Sequence, residues 1–90
     1  MNLFVIHKWM VSHLHLNGNR LILYAIIYQA TYDGRWFEGS IRDFQKLMNV
    51  SQPTVKEGLR YLLNNRLIQK REIIFNKVRC GHYRINDEQI

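Results

Sequence analysis

Four histidines and one cysteine are the residues of this 90-residue chain best suited to metal chemistry. Their spacing does not make a site. His13 and His15 would point to different faces of a helix, His7 stands apart, and Cys80-Gly81-His82 lacks a second ligand pair. His13 reads instead as a core-edge histidine and Cys80 as a small hydrophobe in a strand. Acid–base or nucleophilic catalysis finds no better footing. The seven acidic residues are scattered, without a paired-carboxylate motif, and no glycine-rich loop could cradle a phosphate. The expectation is a protein that is not an enzyme and uses no cofactor or metal.

The charge balance carries more information. Thirteen Lys and Arg against seven Asp and Glu give a formal net charge of +6. That excess suggests a polyanionic partner, nucleic acid before an anionic membrane surface. Two groups of residues could serve it. With Val55, Leu59, Leu62 and Leu63 facing inward on one helix, its other side presents Ser51, Gln52, Lys56, Glu57 and Arg60, with Thr54 at the edge. Gln and Arg can read base edges in a major groove, while Ser, Thr and Lys contact phosphate. Lys77 and Arg79 form the second group, in a basic hairpin. The expected DNA contacts are therefore Ser51, Gln52, Thr54, Lys56, Arg60, Lys77 and Arg79. The plain alternative, a solvated polar helix face, is weakened by the charge excess and by the hairpin cations. Trp9, Trp36, Phe37 and the tyrosines could stack on single-stranded bases, but Trp9 and Trp36 are read as core.

Composition bounds the setting. A chain this short forms one domain, residues 1–90, and 47% hydrophobic content is enough for a core. A lone cysteine fits a reducing cytosol. The apolar run at residues 21–27 is too short to span a bilayer, and "MNLFVIHKWMV" has no basic start, so it is not read as a signal peptide. The expected location is the cytoplasm.

Periodicity places the candidates on elements. A first helix is expected over residues 5–16, with Ile6, Met10 and Leu14 in one stripe and Gly18 as its left-handed cap. A second helix follows over residues 20–32, apolar nearly all round. Residues 35–39 read as a short strand. Ser40 opens a third helix, with Asp43 completing a capping-box-like start and Ile41, Phe44, Leu47 and Met48 buried. Asn49 and Val50 turn the chain, Ser51 caps a fourth helix, and Pro53 sits in its first turn. Two β-rich runs, "LIQKREIIF" and "VRCGHYRIN", then meet at Asn76-Lys77 as a hairpin. Tyr83 and Ile85 share a face that closes the hairpin onto the core.

Two short helices joined by a three-residue turn and followed by a basic hairpin form the layout of a winged helix-turn-helix. The fold class expected is mainly α with a small β-sheet. In "IRDFQKLMNVSQPTVKEGLRYL", Phe44, Met48, Val50 and Val55 take the apolar positions of the helix-turn-helix pattern. Gly58 falls where a small residue is wanted, at the closest approach of two helices. Alanine there is expected to be neutral or to gain about 1 kcal/mol from helix propensity. Asn49 stands where glycine is common, Gln45 where a small residue is common, and Arg66 replaces a glycine often found before the wing, with Asn65 expected to serve in its place.

The segments "HKWMVSHLHLNGN" and "DGRWFEGSI", with "TVKEGLRYLLNNRLIQKREI", resemble the N-terminal winged-helix domain of phage and plasmid replication proteins of Gram-positive bacteria, the replisome organisers and DnaD-like proteins. The resemblance covers nearly all of residues 4–86. It implies double-stranded DNA binding in phage, prophage or plasmid replication initiation, alongside other replication proteins. It also implies a partner-binding C-terminal region not present in this sequence. A winged-helix transcriptional regulator and a replisome protein–protein module are the alternatives. With Val5, Trp9, Met10, Tyr24 and Tyr28, the first two helices carry more apolar surface than one small core needs. They point either to a homodimer through the N-terminal helices or to packing on the third helix and short strand.

Overall fold

The computed structural model describes residues 4–87. Residues 88–90, and residues 1–3 at the start of the stretch not read as a signal peptide, lie outside the described residues. Four helices, α1 (Lys8–Ser12), α2 (Gly18–Thr31), α3 (Ile41–Met48) and α4 (Gln52–Asn64), precede an antiparallel hairpin of β1 (Ile68–Phe75) and β2 (Val78–Ile85). This is a small α+β, winged-helix-like arrangement, as the sequence pattern leads one to expect.

The centre of the molecule is α2. Leu23, Tyr24, Ala25, Ile26 and Ile27 are buried in succession, because α1, α3, α4 and β2 all pack around this helix. Its end is tied to the sheet by one side chain. Thr31 Oγ1 donates to the Ile27 carbonyl at 2.7 Å and accepts from the Ile85 amide at 3.1 Å. Phe37 on the α2–α3 connection stacks on Phe44, with ring centres 4.5 Å apart, and Phe44 meets Tyr83 edge-on.

The local signals at α3 and its turn hold. Ser40 Oγ accepts from the Asp43 amide and Asp43 returns the bond to the Ser40 amide, so the capping box is closed on both sides. Asn49 adopts the left-handed conformation, φ 57°, which asparagine tolerates better than most residues. Three residues separate α3 from α4.

Elsewhere the structure corrects the expectations. The first helix spans only Lys8–Ser12. Leu14, the last residue of the expected stripe, still packs inward, but from a turn beyond the helix, and Ile6, its first, is exposed, so the spacing of Ile6, Met10 and Leu14 imitates helical periodicity. The left-handed residue after α1 is His15, and Gly18, also at positive φ, opens α2 instead of capping α1. The 35–39 strand reduces to one bridge, Phe37 with Tyr83, whose amides exchange bonds of 2.6 and 3.1 Å. Leu47 is 40% exposed and His13 is exposed. Before the hairpin it is Arg66 itself that takes positive φ, while Asn65 stays at φ −93°. Of the residues that pointed to a dimer, Met10 and Tyr24 are fully buried and Trp9 and Tyr28 half-buried; Val5 alone is exposed. The apolar surplus is therefore largely absorbed within one chain.

Gly58 is buried against α2. A Cβ added there would lie 2.6 Å from Leu23 Cδ2, well inside van der Waals contact, and Leu23 is itself fully buried. The propensity gain of about 1 kcal/mol expected for alanine is therefore set against overpacking of about 1–3 kcal/mol, because the Leu23 methyl must move within a filled core. Gly58→Ala is expected to lose about 1 kcal/mol net. In a Leu23→Ala background, already destabilised by about 2–5 kcal/mol, the same change should instead gain about 1 kcal/mol. Urea denaturation of the double-mutant cycle measures this sign reversal, and simple additivity would contradict the close approach.

Burial pushes the Tyr24 phenol far above its ordinary value of 10.0, with Tyr28 and Asp87 adding in the same direction. The folded state thus holds this proton more tightly than the unfolded chain. The associated stability is complete below the unfolded value and is lost as pH rises past about 10. The urea midpoint should fall between pH about 9 and about 11, and Tyr24→Phe should flatten that fall.

Candidate nucleic-acid interface

Helix α4 buries Val55, Gly58, Leu59 and Leu62, which turns Lys56 and Arg60 outward, and both are exposed. The hairpin bends back beside them. Between α4 and the hairpin lies an open groove of about 730 Å³. Its cations come from four elements: Arg42 of α3, Lys56 and Arg60 of α4, Lys70 of β1 and Arg79 of β2. Leu59 and Tyr83 contribute apolar lining, and Glu38 is the acid among the lining residues. The groove therefore has an apolar base and cationic walls, a form that accepts an extended polyanion.

Two acidic groups near the groove are neutralised. Glu72 on β1 pairs with Arg79 at 3.3 Å and faces Lys70 at 3.8 Å. Glu57, expected on the outward face of α4, turns to α2. Arg20 Nε donates to Glu57 Oε1 at 2.9 Å and Arg20 Nη2 to the same oxygen at 2.6 Å. The guanidinium also lies 3.7 Å over the Tyr61 ring. Arg42, Lys56 and Arg60 form no salt bridge among the described residues.

The expected contacts thus divide. Lys56, Arg60 and Arg79 come together in the groove. Lys77 stands at the exposed hairpin tip. Ser51, Gln52 and Thr54 sit at the N-terminal end of α4, outside the groove lining, with Ser51 and Gln52 exposed and Thr54 half-buried. Ser51 has the backbone conformation of a helix cap, but its hydroxyl makes no cap bond; it shares a 2.9 Å hydrogen bond with the Thr54 hydroxyl. Arg42 and Lys70 were not foreseen. Periodicity assigns a residue to a face of its own element, and only the packing of α3 and β1 against α4 brings these two to the same space.

Trp36 is not core. The Arg71 and Arg84 guanidiniums lie 4.6 and 4.3 Å from its ring centre, so it braces the outer side of the hairpin. Arg71 also donates to His82 Nδ1 at 3.2 Å, and Arg84 to Gln69 at 2.9 Å. These contacts hold two further cations in place on the side of the sheet away from Tyr83.

No protein-family model, curated protein or solved structure matches the chain. Among the described residues no helix is long and apolar enough to cross a membrane.

The Arg20 guanidinium, through its hydrogen bonds, holds the Glu57 carboxyl below the usual carboxylate range. The stability tied to this pair is present above the unfolded carboxylate value and is lost as pH falls through the lowered folded one. Both side chains are more than 40% exposed, so the contribution is small and salt-sensitive. Glu57→Gln should reduce the acid-side loss of thermal stability at low ionic strength, and the difference from the parent should shrink in molar salt.

Proposed function

We propose that the chain binds double-stranded DNA, with α4 in the major groove and the hairpin lying along the neighbouring backbone. The observation that carries this reading is the convergence of Arg42, Lys56, Arg60, Lys70 and Arg79 on one groove while Glu57 is held away by Arg20. We assign the reading of a base edge to Arg60, which is exposed near the middle of α4. Gln52 serves the same role nearer the helix start, and Ser51, Thr54, Lys56, Lys77 and Arg79 take phosphates. The process we assign is replication initiation for a phage, prophage or plasmid. Its support is the resemblance of "HKWMVSHLHLNGN" and "DGRWFEGSI" to the DNA-binding domains of such proteins.

The hairpin turn adds a second line of support. Asn76 and Lys77 both have positive φ, 50° and 64°, the pattern of a two-residue hairpin turn that ordinarily carries Asn-Gly. A lysine in the left-handed conformation costs about 1 kcal/mol relative to glycine. Here that strain places an ammonium group at the tip.

If about five phosphates are contacted, log K should fall against log salt with a slope of about −4.5. Arg60→Ala should lose sequence preference as well as affinity in a selection from random duplexes, whereas Lys77→Ala should weaken all sequences alike. Lys77→Gly should raise stability by about 1 kcal/mol and still weaken binding. Salt-independent affinity would contradict the reading.

A further inference from the structure

Every residue from Glu72 to Arg79 is exposed, and half of this stretch is apolar. Phe75 is 67% exposed and pairs across the turn with Val78, which is 59% exposed. Ile73 shares their face of the hairpin, and Ile74, 73% exposed, lies on the other. These side chains pack against nothing in the core. A projecting apolar tip is a binding feature when a partner covers it and an aggregation liability otherwise.

Charge identifies the partner. The tip carries Lys77 and Arg79, and Val78 and Arg79 also line the basic groove, so tip and groove form one continuous surface. A second copy of the chain would bring the same cations to a self-complementary contact, which like-charge repulsion opposes. A flat anionic bilayer would not fill the concave space between α4 and the hairpin. Duplex DNA satisfies both parts: phosphates take the cations, and a base step takes the apolar ring.

We infer that the hairpin tip inserts Phe75, flanked by Val78, between base pairs of the minor groove and bends the duplex toward the major groove. This rests on the DNA-binding reading above. An unperturbed minor groove is about 6 Å wide, too narrow for two strands with their side chains, so the contact requires the groove to open. Apolar wedges achieve this by partly unstacking one step, most easily at flexible pyrimidine–purine steps. Ile74, on the opposite face, forms part of the tip's groove-side surface and is not the wedge.

The test uses a duplex of about 25 base pairs with a central TA step and a fluorophore at each end. Binding of the parent chain should shorten the end-to-end distance by energy transfer. Phe75→Ser should abolish the shortening and weaken binding about tenfold, while the salt slope and the melting temperature stay unchanged. Phe75→Trp should restore the bend, and Ile74→Ser should retain it. Salt-dependent binding without any bend overturns the wedge and leaves the DNA reading standing. A bend that survives Phe75→Ser, or is lost in Ile74→Ser alone, also overturns the wedge. So would a Phe75-dependent dimer in sedimentation, or Phe75-dependent capture by phosphatidylserine vesicles, if the bend persists in the same variant. Absence of any salt-dependent duplex binding by the parent overturns both readings.

Discussion

The close approach of α4 to α2 at Gly58 is the constraint on which the rest of the molecule depends. A missing side chain lets Leu23 fill the space between the two helices, and this sets how α4 lies across the core. Once Val55, Leu59 and Leu62 are buried on that line, Lys56 and Arg60 must face outward on the side where the hairpin returns. Glycine's helix cost of about 1 kcal/mol is set against the overpacking of about 1–3 kcal/mol that it avoids. The hairpin is positioned from the same centre. Thr31 at the end of α2 binds the Ile85 amide, Asn86 bonds back to Leu67 and Arg66, and Tyr83 is bridged to Phe37.

The electrostatic arrangement follows from this frame. Like charges in one groove repel one another, and a protein that gathers them accepts some loss of stability. The chain limits that loss by sharing Glu72 between Arg79 and Lys70 at the base of the projecting hairpin. Glu57 is treated in the opposite way. It occupies an α4 position from which a free carboxylate would oppose a polyanion, and Arg20, stacked on Tyr61, holds it toward α2. The same cation that bridges α2 and α4 thus offsets a negative charge beside the proposed binding face.

Signals that act over three or four residues were readable in the sequence. Ser40 and Asp43 form their box, Asn49 takes the left-handed turn and Asn76-Lys77 makes the hairpin, because each outcome depends on adjacent backbone alone. The first helix is shorter than its pattern implies because Leu14 faces inward from a turn, and periodicity cannot separate that case from a helical one. Arg66, not Asn65, adopts positive φ because the geometry leading from α4 into β1 chooses the position, against local preference. The groove was half legible. Lys56, Arg60 and Arg79 follow from face and charge, but Arg42 and Lys70 reach it only through tertiary packing. Hydrophobicity alone points Trp36 to the core, whereas two arginines give it a role at the surface.

The central claim is that one face of the molecule, the α4 surface with the groove and hairpin tip, meets duplex DNA. Backbone amide chemical shifts of the ¹⁵N-labelled chain, followed while a short duplex is added at low and at high salt, test this most directly. The account predicts shifts that cluster at Lys56, Arg60, Lys77 and Arg79, that spare α1, and that collapse at high salt. Shifts centred on α1 and the exposed faces of α2, or no shifts at low salt, would contradict it.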